Sequence, residues 1–98
     1  MNIVWTAPAM NDLTIALRYY QDDDAPEMAR ALLQATETVT AALGTFPETG
    51  TLLQKKTGIR RKVLSPLPFV LYYRVAGDAE VHILRFRHTA RRPLRSFL

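Results

Sequence analysis

The residues best able to do chemistry are a histidine and a group of cations in the second half of the chain. His88 is the best acid/base candidate, because histidine titrates near neutral pH. Arginine can hold a phosphate or a carboxylate through two parallel hydrogen bonds. The arginines selected for that role are Arg60, Arg61, Arg85 and Arg87. Lys55 and Lys56 add two cations from a preceding segment, so these residue types favour recognition of an anion.

The distribution of charge supports this interpretation. Residues 1–54 contain two basic and seven acidic residues, a net charge of −5, whereas residues 55–98 contain eleven basic and two acidic residues, a net charge of +9. This asymmetry predicts a surface that meets nucleic acid or an acidic protein segment. The alternative is a solvated basic rim, which is disfavoured because several of the charges fall inside predicted strands.

Several other chemistries are excluded by the residues present. The chain has no cysteine, and therefore no disulfide, thiolate metal site or cysteine nucleophile. His82 and His88 are separated along a predicted strand by on the order of 20 Å, too far to share a metal. Phosphate-binding-loop and zinc-protease motifs are missing, and neither Ser65 nor Ser96 has a plausible setting for a nucleophile. We therefore expect no cofactor and no metal.

Length and composition predict a single domain over residues 1–98. Of the 98 residues, 48% are hydrophobic, which is enough to build a core. The longest apolar run, from Leu67 to Tyr73, is far too short to span a bilayer. The N-terminal residues do not resemble a signal peptide. We expect a cytoplasmic protein with no membrane partner.

The first half of the chain predicts a strand followed by a helical hairpin. Asn2–Thr6 reads as a strand, and Pro8 suits the first turn of a helix. Apolar residues then recur at helical spacing in two series, Met10 to Tyr20 and Met28 to Phe46. Asp24 is expected to cap the second helix and Gly44 to end it. Trp5 and the Tyr19-Tyr20 pair are expected to be core or helix-packing residues rather than platforms for stacking bases.

The second half predicts three strands after a loop over residues 47–58. The strands are Ile59–Leu64, Phe69–Val75 and Val81–Arg87, and residues 76–79 form a tight turn between the last two. The predicted order is β-α-α-β-β-β. The fold class is α+β, with an antiparallel-dominated four-stranded sheet and the helical hairpin on one face.

Strict alternation along the last strand constrains any site there. It places Val81, Ile83, Arg85 and Arg87 on one face and His82, Leu84, Phe86 and His88 on the other. Arg85 and His88 can therefore line one site only if the strand bulges or ends near Phe86. Both possibilities remain open from the sequence.

Short motifs in a fixed order cover the whole chain. They are Val4-Trp5-Thr6, Tyr19-Tyr20, Leu43 with Phe46-Pro47, Gly58-Ile59-Arg60-Arg61, Tyr72-Tyr73-Arg74-Val75, and Val81-His82-Ile83-Leu84-Arg85 with His88 and Arg91. Together they resemble the RelE/ParE toxin superfamily, and the ParE branch in particular. The resemblance implies a β-α-α-β-β-β toxin that a cognate antitoxin protein neutralises in a hetero-oligomeric complex.

The resemblance also implies two alternative mechanisms. RelE-like members cleave mRNA on the ribosome, whereas ParE-like members inhibit DNA gyrase by binding it. Metal-free RNA cleavage needs a base, an acid and cations around the phosphorane, and the candidates are His88, Arg60, Arg61 and Arg85. The family nucleases usually add a tyrosine or another acid/base residue near the C-terminus. Thr89–Leu98 contains no Tyr, Glu, Asp or Lys, so we expect the gyrase inhibitor.

Binding, in this interpretation, belongs to a set of cations spread over the second half. They are Lys55, Lys56, Arg60, Arg61, Arg74, Arg85, Arg87 and Arg91. Arg60 and Arg74 have an alternative role, since arginine stems often cover apolar surface in a sheet. A lone histidine at a strand end is more often a hydrogen-bonded structural residue than a catalyst. We therefore favour a structural role for His88.

Overall fold

The structure is a computed structural model that describes residues 1–90. Its elements are β1 (Asn2–Trp5), α1 (Ala7–Asp22), α2 (Pro26–Thr45), β2 (Thr51–Gln54), β3 (Ile59–Val63), β4 (Phe69–Ala76) and β5 (Glu80–His88). Both helices and the four predicted strands are present, and each predicted strand end lies within one residue of the observed one. Within residues 1–90, no helix is long and apolar enough to cross a membrane.

The sheet has five strands in the order β1-β5-β4-β3-β2. β1 runs parallel to β5, and all other neighbours are antiparallel. The α+β class is confirmed, but the prediction of four strands is wrong. The additional strand, β2, lies inside residues 47–58, which the sequence predicted as a loop. Four residues that pair along only one edge leave too short a pattern to recognise.

The turn from β1 into α1 depends on Thr6. Its hydroxyl donates to the carbonyl of Ile83 at 2.8 Å and accepts from the amide of Ala9 at 3.4 Å. Thr6 therefore caps α1 and also ties the beginning of that helix to β5.

The predicted ends of α2 need two corrections. Asp24 does not cap the helix: its φ of 55° lies in the left-handed region, and Ala25 occupies the cap position without a side-chain hydrogen bond. Aspartate tolerates that backbone conformation better than most residues, so Asp24 instead makes the turn between the helices. Gly44 lies inside the last turn, and the helix continues to Thr45.

The core lies between the two helices and one face of the sheet. Its fully buried members include Leu32 and Leu43 from α2, and Leu71, Tyr73 and Ile83 from the central strands. Each large apolar side chain buried in this way stabilises the fold by about 2 kcal/mol before conformational entropy is counted. The core fixes α1 beside β5, and this placement determines the geometry of the site.

Candidate functional site

β5 contains a bulge that changes which of its residues face the helices. Tyr72 pairs with Arg85 while the next residue, Tyr73, pairs with Ile83, so Leu84 is the extra residue. As a result Ile83 and Phe86 are both buried in the core, although strict alternation places them on opposite faces. The unbroken alternation predicted from the sequence therefore does not hold, and the bulge that the sequence left open is present.

Arg85 and His88 nevertheless line one groove, between α1 and the end of β5, although the register from Arg85 to His88 is regular and the bulge precedes both residues. This α1–β5 groove has a volume of about 570 Å³. Its lining residues are Asp12, Ile15, Ala16, Tyr19, Tyr20, Asp23, Phe69, Arg85, Phe86, Arg87 and His88. Two large apolar side chains of the lining are mostly in solvent: Ile15 is 54% exposed and Tyr19 is 65% exposed.

The groove exists because β1 is shorter than β5. β1 ends at Trp5, which pairs with Ile83, and β5 continues to His88 with no strand beside it on that edge within residues 1–90. One of the backbone groups left at the edge, the amide of Phe86, donates to the carboxylate of Asp12 at 3.1 Å. A helix side chain thus replaces part of the missing strand.

The same carboxylate holds Arg85. The Nε and Nη2 atoms of Arg85 donate to the two oxygens of Asp12 at 2.7 and 3.0 Å. This hydrogen bonding raises the pKa of Arg85 above its ordinary value, against the opposing effect of burial. Only 14% of the Asp12 side chain is exposed. The first role of Arg85 is therefore to join β5 to α1.

His88 is held by its neighbours at the other end of the groove. Its Nδ1 accepts a hydrogen bond from the amide of Ala90 at 3.0 Å. Its ring lies edge-on to Phe69, with centroids 5.2 Å apart. An accepting Nδ1 leaves the proton of the neutral ring on Nε2. The contacts are those that a structural histidine would make.

An aromatic cluster forms the floor of the groove. Phe69 stacks on Phe86 at a centroid distance of 5.3 Å, and the rings of Tyr20 and Trp5 pack around them at 6.2 and 6.3 Å. Tyr20 packs on Phe69 as a core residue should, but Tyr19, for which the same role was predicted, lies mostly in solvent. The floor is apolar, and Tyr19 extends the apolar surface beyond it.

Arg60 belongs to a separate set of contacts, toward the β2 edge of the sheet. Its Nη1 donates to the carbonyls of Glu48 and Gly50 at 3.1 and 2.8 Å. The hydroxyl of Tyr73 donates to the carbonyl of Pro47 at 2.7 Å and accepts from the amide of Gly50 at 2.8 Å. Burial raises the pKa of Tyr73. We call these four contacts the Tyr73 latch; they fix the segment that leads into β2.

The structure does not gather the other selected cations into one site. Lys55 and Lys56 lie in the turn between β2 and β3, and Arg61 and Arg74 are exposed on β3 and β4. None of these four side chains forms a salt bridge within residues 1–90. Arg87 lines the groove, and Arg91 lies outside the described residues.

The described residues do not suggest a metal site. The Nε2 atom of His82 lies 3.0 Å from Oε1 of Glu80, at the end of β5 far from His88. No three His, Asp or Glu side chains come together as metal ligands anywhere in residues 1–90. What the groove offers a ligand is apolar contact, hydrogen bonding, carboxylates on its α1 side and arginines on its β5 side.

Asp12 is the important site residue that the sequence did not identify. Its signal was present but weak, because Asp12 is the one acid inside the apolar series of the first predicted helix. An acid directly before the core residue Leu13 suggests a partner on a neighbouring element. No local pattern identifies Arg85 as that partner.

Comparisons with known proteins identify the family of this chain. The sequence model of a family described as the ParE toxin of the type II toxin–antitoxin system, parDE, matches residues 3–93. "Toxin RelE2" of Caulobacter vibrioides is 38% identical over 89 residues, which cover 91% of this chain and 96% of that protein. A solved structure, "Chromosomal ParDE TA system from P. aeruginosa", superposes with a TM-score of 0.72 at 28% identity, over 90% of this chain and 95% of that one. The chain belongs to the ParE toxin family of type II toxin–antitoxin systems.

Proposed function

We propose that this toxin inhibits DNA gyrase by binding it, and that a cognate antitoxin neutralises the toxin by covering the α1–β5 groove. The toxin class follows from membership of the family. The choice of gyrase as the target, and of the α1–β5 groove as the surface that the antitoxin covers, are the two parts of the proposal.

The observation that supports binding is that three of the four candidate catalytic residues, all but the exposed Arg61, are engaged in contacts of the fold. Arg85 is paired with Asp12, Arg60 is bonded to two carbonyls, and the Nδ1 atom of His88 accepts a backbone amide. Stabilising a phosphorane needs cations aimed at the reacting phosphate. Side chains already engaged in folding contacts are poorly placed for that task, so a binding function accounts better for them.

The exposed apolar part of the groove supports an antitoxin partner. Ile15 and Tyr19 lie four residues apart on α1 and face the same side of that helix as Asp12 and Asp23. Arg87 lies across the groove from this acidic side. An amphipathic helix of a partner would bury the two apolar side chains and could meet both signs of charge at its edges.

The alternative function is ribosome-dependent cleavage of mRNA. Two observations support this alternative. Arg87 and His88 line one groove, and the 38% identical relative bears the name Toxin RelE2. A base and a cation in one cleft are part of the requirement for RNA cleavage. The two functions predict different targets, so one pair of assays separates them.

The test of the proposal is the supercoiling of plasmid DNA by purified gyrase. We expect the toxin to inhibit supercoiling and the antitoxin encoded beside it to restore the activity at equimolar concentration. Full supercoiling with excess toxin would contradict the choice of gyrase. Persistent inhibition with excess antitoxin would contradict neutralisation.

The position of the antitoxin is tested by Tyr19→Ala. Removing this side chain should weaken toxin–antitoxin binding by about tenfold, the scale of one well-buried aromatic anchor. Leu33→Ala is the matched control, because Leu33 is 42% exposed on α2 and does not line the groove. Equal affinities of the two variants in calorimetry would place the antitoxin elsewhere.

A further inference from the structure

The β2–β3 hairpin, residues 51–63, has an unused strand edge. β2 is the outermost strand of the sheet and pairs only with β3, so its second edge has no partner within residues 1–90. Three large apolar side chains of the hairpin are exposed: Leu52 by 39%, Leu53 by 38% and Val63 by 40%. Free backbone groups beside exposed leucines form a template to which another strand can add.

The hairpin is also strongly cationic. Residues 51–63 contain the five cations Lys55, Lys56, Arg60, Arg61 and Lys62 and no acidic residue. Arg60 bonds to carbonyls of the preceding loop. The other four form no salt bridge within residues 1–90. The charge that would complement this edge has to come from another molecule.

The Tyr73 latch holds the hairpin in place before any partner arrives. Gly50, the residue directly before β2, is bonded through its amide to Tyr73 and through its carbonyl to Arg60. Because both of these partners belong to the sheet, the beginning of β2 cannot move freely. A strand edge that is already ordered loses less conformational entropy on binding.

These observations favour a peptide strand over nucleic acid. Cations alone would suffice for a phosphate backbone, whereas exposed leucines and a strand edge suit a segment in which apolar and acidic residues alternate. We infer that an extended acidic segment of the antitoxin adds to β2 as a sixth strand, with its carboxylates beside Lys55 and Lys56. The inference rests on the proposed neutralisation by an antitoxin, and it concerns a surface separate from the groove.

The direct test is hydrogen exchange of the purified toxin–antitoxin complex compared with the free toxin. We expect exchange of backbone amides in Thr51–Gln54 to slow at least tenfold in the complex, because a ladder with a new strand protects them. Unchanged exchange at these amides in a saturated complex would overturn the inference and leave neutralisation through the groove intact. Failure of the antitoxin to bind at all would overturn both.

A charge-reversal pair tests the contribution of the lysines. The double variant Lys55→Glu/Lys56→Glu should weaken antitoxin binding by about tenfold at low salt, and the difference should shrink in high salt. Arg18→Glu/Arg30→Glu makes the same charge change at two exposed positions of the helices and serves as the control. Equal affinities for the two double variants would show that the lysines only protect the edge from unwanted pairing.

Discussion

The α1–β5 groove and the β2–β3 hairpin use their cations in different ways. In the groove, Arg85 is neutralised by Asp12, and the exposed surface is apolar. In the hairpin, as far as residues 1–90 show, Arg60 is bonded only to neutral carbonyls, and the neighbouring Lys55 and Lys56 are exposed without an acidic partner. The comparison separates two groups of cations. Some make contacts within the fold, and others are exposed, where we propose that a partner meets them.

The two regions also differ in what holds them in place. The groove depends on one charged contact between a helix and a strand, which also satisfies the amide of Phe86. The hairpin depends on neutral hydrogen bonds around Tyr73 and on the close approach of Gly50. Substitutions can therefore weaken one region without the other, and the following experiments use that independence.

The largest effect is expected from Gly50→Ala. A Cβ atom at this position would lie 2.7 Å from Cε1 of Tyr73 and 2.9 Å from the carbonyl oxygen of Arg61. Tyr73 is fully buried and Arg61 contributes backbone, so neither can move away cheaply. We expect the free energy of unfolding to fall by about 3 kcal/mol, measured by urea denaturation.

Gly58→Ala is the control for this substitution. Gly58 has a φ of 73°, but a Cβ atom there would meet nothing within 4 Å. Its loss should be about 1 kcal/mol, the cost of a left-handed backbone alone. If the two variants lose the same stability, the close packing of the latch is not important for the fold.

A smaller effect is expected from Asp12→Ala. The substitution leaves Arg85 without its counter-ion and the amide of Phe86 without its acceptor. Because Arg85 is 33% exposed and can recruit water, we expect a loss of about 2 kcal/mol in the free energy of unfolding. Asp22→Ala removes an exposed acid from the same helix and should change stability by less than about 0.5 kcal/mol.

A double-mutant cycle attributes the Asp12 effect to its partner. Arg85→Ala should lose less stability than Asp12→Ala, because the amide of Phe86 keeps its acceptor. The double variant should be more stable than the sum of the single losses allows, with a coupling of about 1 kcal/mol. If the two single losses add up to the loss of the double variant, the ion pair stabilises the fold no more than solvation of the separate side chains does.

The smallest effect is expected from Tyr73→Phe. Removing the hydroxyl leaves the amide of Gly50 and the carbonyl of Pro47 without their hydrogen-bond partner. We expect a loss of about 1 kcal/mol in the free energy of unfolding at neutral pH. Tyr19→Phe, at a 65% exposed position, is the control and should be neutral within error.

The same pair of variants gives a signature in alkaline solution. Burial raises the pKa of Tyr73 in the folded protein, so the folded state keeps its phenol proton when the unfolded state has lost it. The contribution to stability is therefore complete below roughly pH 10, the unfolded pKa, and is lost as the pH rises toward the folded pKa. As the pH rises above roughly 10, wild type and Tyr19→Phe should therefore lose more stability than Tyr73→Phe. Parallel pH profiles would show that the phenol is not constrained.

The sequence predicted the elements whose patterns are long enough to recognise. The apolar series in α1 and α2 have helical spacing over several turns, and the β4–β5 hairpin has two long strands around Gly77. β2 was not predicted because Leu52-Leu53 is a short apolar pair among threonines, glycine and lysines. Its strand conformation comes from pairing with β3 and from the Tyr73 latch, both of which are tertiary contacts.

The site was predicted less well than the fold, for a physical reason. The sequence identified Arg85 and His88 as candidates, and it left open whether the last strand bulges. Whether a strand bulges depends on how its partner strand and helix pack, and the residues Leu84-Arg85-Phe86 carry no local signal for it. The pairing of Asp12 with Arg85 joins residues 73 positions apart, and such a contact is not encoded in local spacing.

We propose that the toxin acts by binding and that His88 is structural. The most direct test compares wild type with His88→Gln in two assays, gyrase supercoiling and cleavage of mRNA on programmed ribosomes. Glutamine can keep the hydrogen bond from the Ala90 amide but cannot exchange a proton as histidine does. We predict that both proteins inhibit gyrase to a similar extent and that both leave the mRNA intact. Cleavage of mRNA by wild type that falls about a hundredfold or more in His88→Gln would contradict the claim and establish general acid/base catalysis.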